Sequence, residues 1–227
     1  MDDDAATYGE AWASVYDAVN PALPADADAV ALLAHLAGTG RALELGVGTG
    51  RLALPLAQAG VEVYGLDASM SMLRVLKGKP AAAALPVWVA DMRRPCTHRA
   101  FDLVYLVGST IFGPLSAEEQ TATLAAAGRA ARAEGLVLVE AFVPDPARIA
   151  ESAETTHDER GQVIRSVRRV QVDGAEHVLP VQVRYLLPEQ LDALAVAAGL
   201  RPIARWSDWQ RSGFTRDSSS VIALYDT

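Results

Sequence analysis

Apolar residues recur along this chain in two alternating rhythms. Tyr8, Trp12, Val15, Tyr16 and Val19 lie at helical spacing and form a narrow aromatic stripe, which Pro21 and Pro24 end. The spacing predicts one N-terminal amphipathic helix. A second is expected over residues 26–37, with Val30, Leu33 and Leu36 on one face, acids in its first turn, and Gly38 and Gly40 ending it. From Arg41, short apolar runs at 41–45, 61–66, 86–90, 101–107 and 135–142 alternate with helical segments near 51–59, 70–77 and 117–131. Ser116 and Glu119 stand in capping-box spacing before the last of these. Such alternation predicts an α/β fold, a doubly wound, mostly parallel sheet built from right-handed βα units.

After Pro144 the rhythm changes. Two extended segments, 162–172 and 177–187, flank Asp173-Gly174, a dipeptide suited to a tight hairpin turn. Val163 and Val167 are out of phase with Val170 and Val172, which predicts a bulge. Pro188 then opens a helix through Leu191, Leu194 and Ala198, closed by Gly199. Strands near 201–207 and 219–225 bring the expected sheet to seven. No repeat or low-complexity linker interrupts the chain, so it reads as one domain. Its expected parts are a helical cap at 1–37, a core at 38–143, a lid insertion at 144–187 and a closing helix with two strands at 188–227.

Composition narrows the function. The chain has 227 residues, is 51% hydrophobic and carries a formal net charge of −8. That acidity argues against nucleic acid as a main partner, because affinity for a phosphate backbone comes from clustered Lys and Arg. Cys96 is the single cysteine, which excludes an intramolecular disulfide and a multi-thiolate zinc site. Met1-Asp2-Asp3-Asp4 is acidic where a signal peptide is basic, and no apolar run reaches the length of a membrane span. A cytoplasmic protein without membrane association is expected, as monomer or homodimer.

The densest signal is Glu44-Leu45-Gly46-Val47-Gly48-Thr49-Gly50, where the first strand meets the next helix. Glycines belong there because a strand reversing directly into a helix needs positive φ and close backbone approach by a ligand. A dinucleotide fingerprint reads G-x-G-x-x-G, but here the third glycine comes one residue early and Arg51 stands in its place. Glu44 suits a cationic amino group better than a pyrophosphate. Asp67 ends the second strand in Tyr64-Gly65-Leu66-Asp67-Ala68-Ser69, Asp91-Met92 follows the third, and Val107-Gly108-Ser109-Thr110 follows the fourth.

This E-x-G-x-G-x-G turn with its later stations resembles the class I S-adenosylmethionine-dependent methyltransferases, over most of the chain. The resemblance implies a Rossmann-like methyltransferase fold and S-adenosylmethionine as cofactor, leaving S-adenosylhomocysteine as product. It implies that Glu44, Gly46, Gly48, Thr49, Gly50, Ala68 and Met70 bind the cofactor, and that Asp67 holds both ribose hydroxyls. Asp91 and Met92 fall to the adenine, and Val107 and Gly108 to the site beside the transferred methyl. Tyr16-Asp17 resembles a Tyr-Asp pair on a cofactor-covering helix in that family, which brings in Tyr8 and Tyr16.

The family's amino-methylating Asp/Asn-Pro-Pro-Tyr loop is absent, as is a cysteine pair for pyrimidine methylation. The acids of a metal-dependent transfer are replaced by Ser109, Thr110 and Phe142, so metal-free transfer is expected. The lid insertion resembles the hairpin of small-molecule N- and O-methyltransferases of natural products. A small metabolite accepting methyl on oxygen or nitrogen is the expected substrate. Transfer would rest on proximity and orientation, with Glu140, His157, His177 and Tyr185 as candidate general bases. Glu140 ranks first, at the carboxyl edge of the sheet. Ile111, Phe112 and Phe142 suggest a partly hydrophobic pocket, and Arg165, Arg168, Arg169 and Arg184 read as a solvated lid face or an anion site. An NAD-dependent oxidoreductase and a non-catalytic S-adenosylmethionine-binding protein are the competing readings.

Overall fold

The strands are apolar on both faces because helices cover the sheet from both sides. The computed structural model describes residues 4–21, 24–94, 100–145, 149 and 154–227. Its strands are β1 (Arg41–Leu45), β2 (Glu62–Asp67), β3 (Val87–Val89), β4 (Phe101–Leu106), β5 (Ala131–Phe142), β6 (Thr155–Asp158), β7 (Val163–Val172), β8 (Ala175–Arg184), β9 (Arg201–Trp206) and β10 (Ser220–Asp226). Leu43, Leu45, Val104, Leu106, Val137 and Val139 point into one core. Ala42, Leu103, Tyr105 and Leu138 point into the other. Alternation thus survives inside runs that look uniformly apolar.

The central seven-stranded sheet has the order β3-β2-β1-β4-β5-β10-β9. Neighbours from β3 to β5 are parallel, and only β10 runs against its neighbours. The strand order reverses between β1 and β4, so their carboxyl ends frame the crevice where open α/β sheets bind ligands. The helices are α1 (Asp4–Trp12), α2 (Tyr16–Val19), α3 (Pro24–Ala37), α4 (Ala53–Gln58), α5 (Met70–Lys77), α6 (Ala117–Ala130) and α7 (Pro188–Ala197). Ser116 caps α6 by accepting from Glu119 N, as the sequence spacing predicts. No described helix is long and apolar enough to cross a membrane.

Three sequence expectations are corrected. The N-terminal stripe is two helices, because Trp12 at the end of α1 is anchored on Pro180 of β8 while α2 is anchored on the glycine turn through Asp17. The lid is three strands, β6-β7-β8, since Thr155-Thr156-His157-Asp158 has no apolar alternation to announce a strand. The expected bulge is absent: β7 and β8 pair without a break from Val163↔Arg184 to Val172↔Ala175. A twisted ribbon turns different faces to the body at its two ends, so Val163 is buried at one end while Val170 and Val172 pack near Trp12 at the other. The turn itself is as expected, with Asp173 at φ 51° and Gly174 at φ 79°, the mirror-image geometry of tight hairpins. Cys96 and His98 lie outside the described residues.

Candidate active site

The turn from β1 into α4 uses its glycines for two different purposes. Gly46, Gly48 and Gly50 have φ of 78°, 53° and 84°. A Cβ at Gly46 would lie 2.6 Å from Thr110 Cγ2 and one at Gly50 would lie 2.4 Å from Leu76 Cδ1. Those two glycines let the turn pack against the protein. At Gly48 a Cβ would meet nothing, and the residue borders a cavity of about 460 Å³. Gly50 does not line that cavity, since its close neighbours are Leu76 and Leu54.

The acids stand at successive strand ends along one wall. Glu44 is 4% exposed, and its carboxylate accepts from the Tyr105 hydroxyl at 3.1 Å. Burial pushes its pKa up to about 8, opposed by the Tyr105 hydrogen bond and the charge of Arg51. Asp67 accepts from Gly48 N and from Ser69 N, each at 2.8 Å. Burial raises its pKa against the pull of those two bonds. One outward lone-pair direction on each oxygen stays available. At Asp91 burial would raise the pKa, but bonds from Arg93 outweigh it and hold the carboxyl low. Arg93 also pairs with Glu119, another wall residue.

The N-terminal helices form the roof. Tyr8 stacks on Trp12 with ring centres 5.0 Å apart, and Trp12 Nε1 donates to Pro180 O at 3.0 Å. The Arg168 guanidinium lies 5.7 Å from the Trp12 ring centre. Gly9 lets α1 cross close over Ser69, and Glu10 accepts from Ser69 Oγ at 2.7 Å and Ser71 N at 3.1 Å, pinning α1 to the start of α5. Burial raises the pKa of the Tyr16 hydroxyl against the charge of Arg51, which pairs with Asp26 of α3. Tyr8, Tyr16, Thr49, Ala68, Met92, Val107 and Gly108 all border the cavity. Met70 does not: it is 47% exposed, and Met72, 3% exposed, takes the wall position. Residues two apart on a helix point in nearly opposite directions, so only one of them can face the site.

The candidate bases are not gathered in the cavity. Glu140 accepts from Gly108 N at 2.6 Å, and its carbonyl accepts from Ser109 N at 3.2 Å. Ser109 sits at φ 60°, ψ 24° and accepts from Phe142 N at 3.0 Å through its hydroxyl. Glu140 therefore braces the loop after β4 against β5 and does not itself border the cavity. We expect Glu140→Gln, whose amide oxygen still accepts from Gly108, to keep methyl transfer within about threefold, and Glu140→Ala to lose more than about tenfold. Initial rates on the two variants check this; equal, large losses would return Glu140 to a proton-transfer role.

His157 Nε2 lies 3.0 Å from the Tyr185 hydroxyl, and neither residue borders the cavity, nor does His177. Ile111 and Phe112, read as pocket positions, are 0% and 1% exposed within the core, whereas Phe142 does line the cavity. Of the four lid arginines, only Arg168 borders the cavity, while Arg169 pairs with Glu154 and Glu176. Sequence reading missed Arg51, Trp12 and Arg93 as wall residues. Arg51 carried a signal, as a cation directly after the glycine turn, and so did Trp12, in the aromatic stripe with Tyr8 and Tyr16.

Residues 42–135 match the family model described as a methyltransferase domain. The match covers the part of the chain that carries the glycine turn and the acidic stations, and the fold is the Rossmann-like methyltransferase fold. The chain is 32% identical over 143 residues to the cypemycin N-terminal methyltransferase of a Streptomyces species, covering 62% of this chain and 58% of that protein. It spans little more than half the length of the curated relatives it matches. The structure of the CcbJ methyltransferase from Streptomyces caelestis superposes with a TM-score of 0.85 at 29% identity, covering 98% of each chain. S-adenosylmethionine-bound CalS10, an amino pentose methyltransferase from Micromonospora echinaspora, shares the fold with a TM-score of 0.68 at 18% identity over 94% of this chain and 97% of that one.

CalS10 was solved with S-adenosylmethionine bound, and the residues that line the cavity of this chain fit that group. Glu44 puts a buried carboxylate on the cavity wall, where an ammonium would offset its charge, and the space beside Gly48 is open.

Proposed function

We propose that this protein transfers the methyl group of S-adenosylmethionine to a nitrogen or oxygen of a small metabolite, without a metal. The observation that carries the reading is one cavity lined both by Glu44, Asp67 and Asp91 from the sheet edge and by Val181, Gln182 and Val183 of the lid strand β8. When bound, S-adenosylmethionine supplies a methyl group made electrophilic by its sulfonium. In this reading Glu44 holds the methionine ammonium, Asp67 accepts from the ribose hydroxyls, and Asp91 with Met92 flanks the adenine. Tyr8 and Tyr16 close the roof. Gly108, braced by Glu140, edges the space beside the methyl. Val181 and Val183 of the lid line the same cavity as Phe142 and, in this reading, exclude water from the acceptor. Placement and dehydration then supply most of the rate. The lid at 144–187 and the cap at 1–37 are accordingly read as covers of one domain. The cypemycin relative, whose name assigns it an N-terminus, supports amines as the first acceptors to assay.

Calorimetric titration with S-adenosylhomocysteine and NAD in parallel tests the reading. Binding of the first and silence for the second is the expected result. Asp67→Ala should weaken S-adenosylhomocysteine about tenfold through lost ribose hydrogen bonds, without unfolding the protein. Folded protein that ignores S-adenosylhomocysteine, or binds NAD, sinks the proposal. Binding with no transfer of labelled methyl to any amine or hydroxyl acceptor would leave the non-catalytic alternative.

A further inference from the structure

Lys79 lies outside the cavity, yet it joins three segments around it. Its Nζ pairs with Asp17 Oδ2 at 2.7 Å and donates to the Thr49 carbonyl at 2.8 Å. Thr49 Oγ1 in turn donates to Asp17 Oδ1 at 2.6 Å. One ammonium, one carboxylate and one threonine therefore close a ring between the segment after α5, helix α2 and the glycine turn. Thr49 is 1% exposed, whereas the Lys79 and Asp17 side chains are 30% and 47% exposed. The ring thus has a fixed inner anchor and an outer half that water can enter.

What the ring holds is the roof. Helix α2 has four residues, a single turn, and one turn has little stability of its own. Tyr16, beside Asp17, borders the cavity and reaches Arg51. If the ring opens, α2 loses its tie to the glycine turn and Tyr16 can swing off the cavity. If it closes, the backbone of Thr49 and the ring of Tyr16 are set together.

We propose that Lys79 and Asp17 are positioning residues for cofactor retention: their ring with Thr49 keeps α2 shut over the glycine turn, and its opening sets how fast S-adenosylhomocysteine leaves. The proposal rests on the reading of this cavity as the S-adenosylmethionine site. It adds a gate whose strength is electrostatic, so release should quicken with salt.

Stopped-flow dissociation of S-adenosylhomocysteine from the full chain tests it. Lys79→Met keeps the stem and removes the charge. Its dissociation rate should rise about fivefold, the upper end for an exposed ion pair, while the association rate stays within about twofold. Lys79→Arg should restore most of the wild-type rate. Asp17→Asn combined with Lys79→Met should be no faster than the quicker single variant, because each already breaks the same ring. Wild-type release should quicken between low and high salt, and release from Lys79→Met should not. A merely structural lysine would lower the melting temperature while leaving that salt dependence in place. A Lys79→Met dissociation rate within twofold of wild type, or a wild-type rate indifferent to salt, overturns the gate. Wild-type protein that fails to bind S-adenosylhomocysteine at all would instead remove the reading beneath it.

Discussion

Replacing Gly48 by valine should give a folded protein with no measurable affinity for S-adenosylhomocysteine. The reason is the direction in which the new side chain would grow. Among the described residues, none beyond its two chain neighbours comes within 4 Å of a Cβ at this position, and the residue borders the cavity. The expected clash is therefore with the proposed ligand and not with the fold. Gly46 and Gly50 behave oppositely, because a Cβ there would strike Thr110 or Leu76. Gly48 does sit at φ 53°, and a non-glycine residue in that region costs about 1–2 kcal/mol, more when β-branched. That lowers the melting temperature by about 2–8 °C for a chain of this size. Affinity should fall more than about 100-fold, far beyond what strain explains, and Gly48→Ala should fall between the two proteins. Calorimetry and a thermal melt on the same samples separate the effects. A folded Gly48→Val protein that binds as wild type does would move the cofactor away from this turn.

The second large effect concerns Glu44 and has opposite signs for stability and for binding. Its pKa of about 8 in the fold exceeds the ordinary 4.5, so the folded state holds a proton that the unfolded chain releases. Between pH 4.5 and 8 this group therefore takes stability away as pH rises, and above pH 8 the full cost of a buried carboxylate is present. A glutamine side chain at this position avoids that cost while its amide oxygen still accepts from Tyr105. Glu44→Gln should thus stabilise the ligand-free protein by several kcal/mol at pH 9 and by progressively less towards pH 5.

Binding runs the other way. The charged carboxylate is what an ammonium needs, so Glu44→Gln should weaken S-adenosylhomocysteine about 30- to 100-fold at pH 8. Below pH 8 the wild-type affinity should fall by up to about tenfold per unit, as the cofactor must displace a proton. The variant should lack that slope, and the ligand's own titration cancels between the two proteins. Melts and titrations of both proteins from pH 6 to 9 check the whole pattern. Equal affinities with parallel pH slopes would show that Glu44 does not meet the cofactor's charge.

Much of this molecule is written locally. Apolar periods, the Ser116 cap, the Asp173-Gly174 turn and the closing glycines each depend on residues a few positions apart, and the seven strands of the central sheet formed near where their own residues called for them. The Glu44–Gly50 turn is local as well. Its positive φ angles favour glycine, and an acid directly before it suits a cation. Its partners Asp67 and Asp91 were readable because a doubly wound sheet returns every strand end to the same edge.

What escaped sequence reading are contacts between distant segments. The break between α1 and α2 follows from Trp12 reaching Pro180, 168 positions away, and Asp17 reaching Thr49, 32 positions away. Met72 in place of Met70 depends on how α5 is rolled against the sheet. Glu140 looked like a free acid at the sheet edge until the fold laid Gly108 N against it. The residue types and their periods by themselves determined the fold class, the glycine turn and the order of the acids, because backbone sterics and burial act over a few residues. Only the tertiary structure decided which side chains face the cavity and which are spent holding it, because that depends on partners the chain brings near only once it has folded.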